Sequence, residues 1–197
     1  MSTMGRPRQF DTDKALDKAL DVFWRHGFEG ASIADLTQAM GISPPSLYAA
    51  FGNKETLFRS ALDRYADTRK QIWVELMKEP TARAMLERLF DRVIGFYAED
   101  GNPNCCMLVK GTMSSSECGK VLADHLSAKR AESDAVLVER FTQAKAAGEL
   151  ANDIDPSELA SYYMTILDGM SVRAAGGATR DELRKVADLA LRCWPGH

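Results

Sequence analysis

Apolar residues recur at three- and four-residue spacings along almost the whole chain, and no segment sustains a period of two. The pattern predicts an all-α fold of about nine helices with no sheet. Leu16, Ala19, Leu20, Phe23 and Trp24 form one face of a first helix, which Gly27 stops. Ser32 caps a second helix, with Asp35 as the other half of a capping box, and Ile33, Leu36 and Met40 make its buried stripe. Gly41 ends that helix after about two turns. A third short helix starts at Pro44 or Pro45 and reaches Phe51. Proline suits the first helical position, whose N–H lacks a partner anyway, but Pro45 pushes Pro44 toward extended geometry, so the start stays open. Gly52 ends this helix and Asn53 caps the next.

The fourth helix is long, from about Lys54 to Lys78, with Phe58, Ala61, Leu62, Tyr65, Ile72, Trp73, Leu76 and Met77 on its apolar face; Pro80 breaks it. A fifth spans about Thr81 to Tyr97, before a turn at Gly101-Asn102-Pro103-Asn104. A short segment from about Cys105 to Thr112 precedes a serine run, and a long helix from about Glu117 to Ala147 closes at Gly148. The last two helices run from about Ser157 to Ala174 and, capped by Thr179, from about Arg180 to Trp194.

Three short helices at the front, the second and third joined by Gly41-Ile42-Ser43, describe a helix-turn-helix. The turn needs a glycine that can adopt positive φ. The second helix of such a pair must be short and present small side chains to a groove edge. The pattern alone leaves two readings open, a DNA-binding head and a plain helical bundle. The expected domains are 1–53, with a basic N-terminal arm at 1–10, and 54–197.

Charge narrows the choice. The 197 residues hold 25 Lys plus Arg against 28 Asp plus Glu, a net charge of −3. That balance excludes a binder coated in basic surface but leaves room for a local basic patch. No run of about 18 apolar residues is present, so no membrane span is expected. With no secretory leader visible, a reducing cytoplasm with free thiols is the expected compartment.

The runs Met4-Gly5-Arg6-Pro7-Arg8-Gln9-Phe10-Asp11, Gly27-Phe28-Glu29-Gly30-Ala31-Ser32-Ile33 and Gly41 to Phe58 together resemble the TetR/AcrR family of bacterial transcriptional regulators. Leu47, Tyr48, Phe51, Lys54, Glu55 and Leu57 are the most specific part. The motifs cover about residues 5–60; the remainder is similar only in architecture. The resemblance implies a homodimeric repressor, released from a palindromic double-stranded DNA operator by a small-molecule inducer, and no enzyme, cofactor or metal.

The resemblance also implies that Tyr48 and Lys54 contact DNA phosphates. Ser32 and Ser43 stand at helix starts, where backbone N–H groups and the helix dipole favour an anion, so each is a cap and a candidate phosphate contact. Pro44, Pro45, Ser46 and Ala49 occupy the leading edge of the recognition helix and offer no bidentate base contact. Readout then rests on thymine methyls, the Ser46 hydroxyl and DNA shape. Arg6 and Arg8 lie in the arm and, by analogy with other arms, enter the minor groove.

In the second half, Leu159, Tyr163, Ile166, Leu167 and Met170 form one stripe and Val186, Leu189, Ala190 and Cys193 another. These are the dimer candidates, in the last two helices. Pocket candidates are Trp73, Phe90, Phe96, Tyr97, Cys106, Met107, Met113, Tyr162 and Met164, since aromatics, thiols and methionines suit a moderately apolar ligand. Residues at this spacing equally build core. Cys105, Cys106 and Cys118 fall close together, with Lys110 one turn from Cys106, so a redox- or electrophile-sensing thiol is an alternative, as is a small buried hydrophobe. Their spacing, with His125, matches no standard zinc pattern. The rival from another class, a cysteine-dependent enzyme, lacks a histidine and carboxylate arranged to serve a nucleophile.

Overall fold

The computed structural model describes residues 10–99, 101–112 and 117–196, with 111, 112 and 117–121 described as backbone only. Among these residues the fold is all helical, in nine helices, with a single isolated bridge between Leu150 and Gly196. The chain divides into two compact units that part inside one helix, between Tyr65 and Ala66.

The first unit contains α1 (Thr12–Gly30), α2 (Ile33–Met40), α3 (Pro44–Phe51) and the first half of α4 (Lys54–Leu76). Asp11 caps α1, its carboxylate accepting from the N–H groups of Asp13 and Lys14, both at 3.1 Å. Gly27, with φ 72° and ψ 179°, breaks the helical path as the sequence predicts, yet a further helical turn follows to Gly30. That break turns Phe28 back onto the core. Its ring lies 5.2 Å from Phe58, which meets Phe23 edge-on at 5.0 Å. Leu36, Leu47, Leu57, Ala61 and Leu62 complete a buried centre. Asp17 and Asp13 of α1 converge on Arg64 of α4, at 2.8 and 3.9 Å.

Gly41 takes the left-handed conformation (φ 67°) at the end of α2, so the chain turns into α3 without Cβ strain. Gly52 also has a positive φ after α3 (φ 80°), with ψ −88° outside the left-handed helical region. Asn53 and Thr56 then cap each other's backbone: Thr56 N–H donates to Asn53 Oδ1 at 2.9 Å and Asn53 N–H to Thr56 Oγ1 at 2.8 Å.

The second unit contains the rest of α4 with α5 (Ala82–Ala98), α6 (Met107–Thr112), α7 (Glu117–Ala146), α8 (Pro156–Ala175) and α9 (Arg180–Arg192). Its core centres on Tyr163, ringed by Phe141 (5.9 Å), Trp194 (6.2 Å) and Phe90 (6.3 Å). The buried Tyr163 hydroxyl donates to the Ala190 carbonyl at 3.1 Å, whereas the buried Trp194 Nε1 has no hydrogen-bond partner among the described residues. Ion pairs tie the helices together: Arg130 with Asp168 joins α7 to α8, and Arg184 with Asp91 (2.6 Å) joins α9 to α5. No described helix is long and apolar enough to cross a membrane.

Candidate functional site

Two serine-capped helix starts lie in the first unit, and they differ chemically. At α2, Asp35 closes the capping box. The Asp35 carboxylate accepts from the Ser32 N–H (3.0 Å) and hydroxyl (2.6 Å), while the Asp35 N–H donates to Ser32 Oγ (3.0 Å). The Ser32 hydroxyl bond, first, and its N–H hold the Asp35 carboxyl below its ordinary value. The positive end of α2 therefore already faces a carboxylate.

At α3, Ser43 Oγ accepts from the Ser46 N–H at 3.4 Å and lies 2.9 Å from Ser46 Oγ. Pro44 and Pro45 fill the first two helical positions, both exposed, and the first turn carries no acidic residue. The dipole end is uncompensated, but the prolines withhold two N–H donors. The hydroxyls of Ser43 and Ser46 take over as the polar groups on this edge.

One turn on, Tyr48 is 48 % exposed, an unusual position for a large ring that packing would otherwise bury. Ala49 beside it is exposed as well. Lys54 starts α4, and its ammonium sits 4.6 Å over the Phe28 ring. Phe28 owes its place to the break at Gly27, so the sequence positions Lys54 through a cation–π contact that was not legible in the motif. Phe10 packs its ring 6.5 Å from Phe51 at the end of α3. Arg6 and Arg8 lie outside the described residues. The structure thus brings Ser43, Pro44, Pro45, Ser46, Tyr48 and Ala49 onto α3 and its cap, with Lys54 two residues past Gly52.

The candidates for a ligand pocket scatter. Phe90 and Met107 are fully packed core, and Met164 is half-buried against that core. Phe96 and Tyr97 are half-buried and meet edge-on at 5.7 Å. Burial raises the Tyr97 hydroxyl well above its ordinary pKa. Tyr162 is 43 % exposed on α8, and with Val172 and Leu189 of α9 it leaves large apolar groups open to solvent. Of the two stripes in the last helices, Tyr163, Met170 and Ala190 are buried within the unit, whereas Leu189 and Cys193 are exposed. Met113 lies outside the described residues. Trp73 lines a cavity of about 370 Å³ between α4, α6 and α7. Periodicity missed the other key residues of that wall, Arg69, Lys70 and Lys129, because charged helix positions read as solvated surface.

Cys105 is buried, and burial pushes its thiol up, which disfavours the thiolate that an oxidant or electrophile needs. Its Sγ lies 3.3 Å from the Ser171 hydroxyl, which accepts from the Cys106 N–H at 2.7 Å. Arg69 Nη1 approaches Cys106 Sγ at 3.8 Å. The Cys118 side chain lies outside the described residues. Among the described residues no group of three His, Cys, Asp or Glu is placed to hold a metal.

Comparison with known proteins agrees with this division. Residues 15–61 match the model described as "Bacterial regulatory proteins, tetR family", and residues 82–189 match "Tetracyclin repressor-like, C-terminal domain". The HTH-type transcriptional repressor ComR of Escherichia coli (strain K12) is 36 % identical over 196 residues, covering 97 % of this chain and 92 % of that protein. A cysteine mutant of the TetR family transcriptional regulator CifR, solved with a 26-base-pair double-strand operator DNA, superposes with a TM-score of 0.91 at 43 % identity. That comparison covers 97 % of this chain and all of the other, 100 %. A putative TetR regulator from Rhodococcus sp. RHA1 is 41 % identical with a TM-score of 0.63, over 93 % of this chain and 98 % of that one.

Proposed function

The chain belongs to the TetR family of DNA-binding transcriptional regulators, and we propose that it represses by holding a palindromic operator with Ser43, Ser46, Tyr48 and Lys54 until a small molecule enters the second unit. One observation carries the residue assignment: the start of α3 is exposed, bears hydroxyls and an outward tyrosine, and lacks the carboxylate that closes α2. Phosphates meet hydroxyl donors and the dipole there, and the Lys54 ammonium adds a point charge. Pro44, Pro45 and Ala49 press apolar surface toward the groove, which suits thymine methyls and shape readout. Ser32, already satisfied by Asp35, serves α2 as a cap. Arg6 and Arg8 add minor-groove contacts, so replacing both with alanine weakens operator binding.

The exposed Tyr162, Val172 and Leu189 supply apolar area for a homodimer through α8 and α9. A two-fold dimer sets the spacing of two heads against half-sites about one helical turn (~34 Å) apart. Effector binding releases DNA by favouring a state whose spacing does not fit. α4 supplies residues to both units, beginning at Lys54 and reaching the cavity at Trp73, so an effector against α4 acts on the helix that also carries the phosphate contact. The working compartment is the cytoplasm, where the operator is.

The test is fluorescence anisotropy of labelled duplexes at fixed salt, with light scattering in parallel. A palindromic segment beside the protein's own gene binds at least about a thousandfold tighter than a scrambled duplex, the lower end of the range for specific recognition. Scattering gives a dimer. Equal affinity for both duplexes, or a strict monomer at micromolar concentration, contradicts the assignment.

A further inference from the structure

The walls of the cavity in the second unit are built from two matching helix faces. Ala66, Arg69, Lys70 and Trp73 of α4 stand at i, i+3, i+4 and i+7, and so do Lys129, Glu132, Ser133 and Val136 of α7. Leu108 of α6 adds apolar surface. The apolar part includes the buried Trp73, a planar aromatic side chain. Among the described residues that line it, three are cations, Arg69, Lys70 and Lys129, and one is a carboxylate, Glu132; Arg69 also reaches Cys106 Sγ.

The placement of that carboxylate sharpens the imbalance. Lys129 and Glu132 pair at 3.3 Å, but the Lys129 side chain is 20 % exposed and the Glu132 side chain 63 %. The Lys129 side chain is thus the more covered of the pair, and Glu132 the more exposed to water, which screens it. A cleft with an excess of one sign of charge between apolar walls concentrates the opposite charge. At about 370 Å³ the space falls near the lower end of small-molecule sites, ~300–1,000 Å³.

We propose that this cavity takes an anionic amphiphile, a small molecule with a flat apolar body and one carboxylate- or sulfonate-type head. The body lies against Trp73, Leu108 and Val136, and the head meets Arg69, Lys70 and Lys129. Arginine offers the planar fork that matches a carboxylate or sulfonate. The inference rests on the reading of the second unit as effector-binding, and it names the class of effector.

The probes are 8-anilinonaphthalene-1-sulfonate and its uncharged counterpart N-phenyl-1-naphthylamine, titrated into the full chain at fixed salt and read by fluorescence. The sulfonate binds about tenfold tighter than the neutral probe, the scale of one charge-assisted hydrogen bond. Lys70→Gln with Lys129→Gln removes that preference and leaves the neutral probe's affinity in place. Ala135→Trp, which fills the cavity from α7, weakens both probes. Equal affinities in the wild type, or a preference that survives the lysine substitutions, overturns the proposal. Operator anisotropy is followed in the same samples. Operator binding that persists with no binding of either probe sinks this inference alone; absence of operator binding sinks the repressor reading whatever the probes do.

Discussion

The starts of α2 and α3 use the same capping residue to opposite ends. Ser32 opens α2 and Ser43 opens α3, and each accepts from the N–H three residues on. The third helical position holds Asp35 in α2 and Ser46 in α3. In α2 the aspartate supplies the negative charge that the helix end favours, and the end is chemically complete. In α3 the same place holds a hydroxyl, preceded by two prolines that give up their N–H donors. A helix start left without its own anion is less stable alone and better suited to another molecule's anion. The difference between a structural cap and a binding edge thus comes down to one side chain three residues past the serine.

The largest effect is expected from making the two starts alike. Ser46→Asp gives α3 the carboxylate of α2. It should hold or slightly raise the melting temperature, and it should weaken operator binding by about a hundredfold, since a like charge set against a phosphate costs several kcal/mol. Melting curves and operator anisotropy on the same sample check both halves; a loss of fold, or operator binding retained, breaks the comparison. Tyr48→Phe is next. It removes one hydroxyl and keeps the ring, and should weaken operator binding by about tenfold at most, with stability unchanged because the ring is exposed.

Ser32→Ala should do the reverse of these. It should cost about 1 kcal/mol of stability by chemical denaturation and leave operator affinity of the folded protein within about twofold, inside the ordinary scatter of surface changes. A larger loss of affinity would return Ser32 to the interface. The smallest effect is a pH dependence. The Asp35 carboxyl is held below its ordinary value in the folded chain, so the unfolded chain binds the proton more readily. The stability it contributes is fully present above the ordinary carboxylate range and is lost as pH falls through the folded value. The difference in melting temperature between wild type and Asp35→Asn should therefore shrink on going from pH 6 to pH 3. A difference that stays constant across that window contradicts the capping-box account.

Much of this was legible in the sequence. Helix breaks follow from Gly27, Gly41, Gly52, Pro80 and Gly148, and the caps at Ser32, Ser43 and Thr179 follow from side chains that reach the third N–H. The head was legible because its motif concentrates backbone requirements and exposed chemistry in one short stretch. Three things were not. Gly27 reads as a stop, but the chain resumes one more turn because Phe28 gains burial against Phe58. Asp13 and Asp17 of the first helix pair with Arg64 of α4, a contact across 47 or more positions that no local pattern shows. Phe90, Met107 and Trp73 share the same helical periodicity, yet Phe90 and Met107 are packed core while Trp73 borders a cavity. Periodicity reports that a face is covered, not whether another side chain or an empty volume covers it.

The central claim is that an acidic chain binds DNA through a few placed groups, with Lys54 the cation that meets a phosphate beside α3. The most direct measurement is the slope of log K against log salt for the operator duplex, in wild type and Lys54→Ala. Wild type should show a linear fall, as phosphate contacts release counterions, and Lys54→Ala should flatten that slope by about one for each head engaged. A slope that Lys54→Ala leaves unchanged, or operator binding insensitive to salt, contradicts the account.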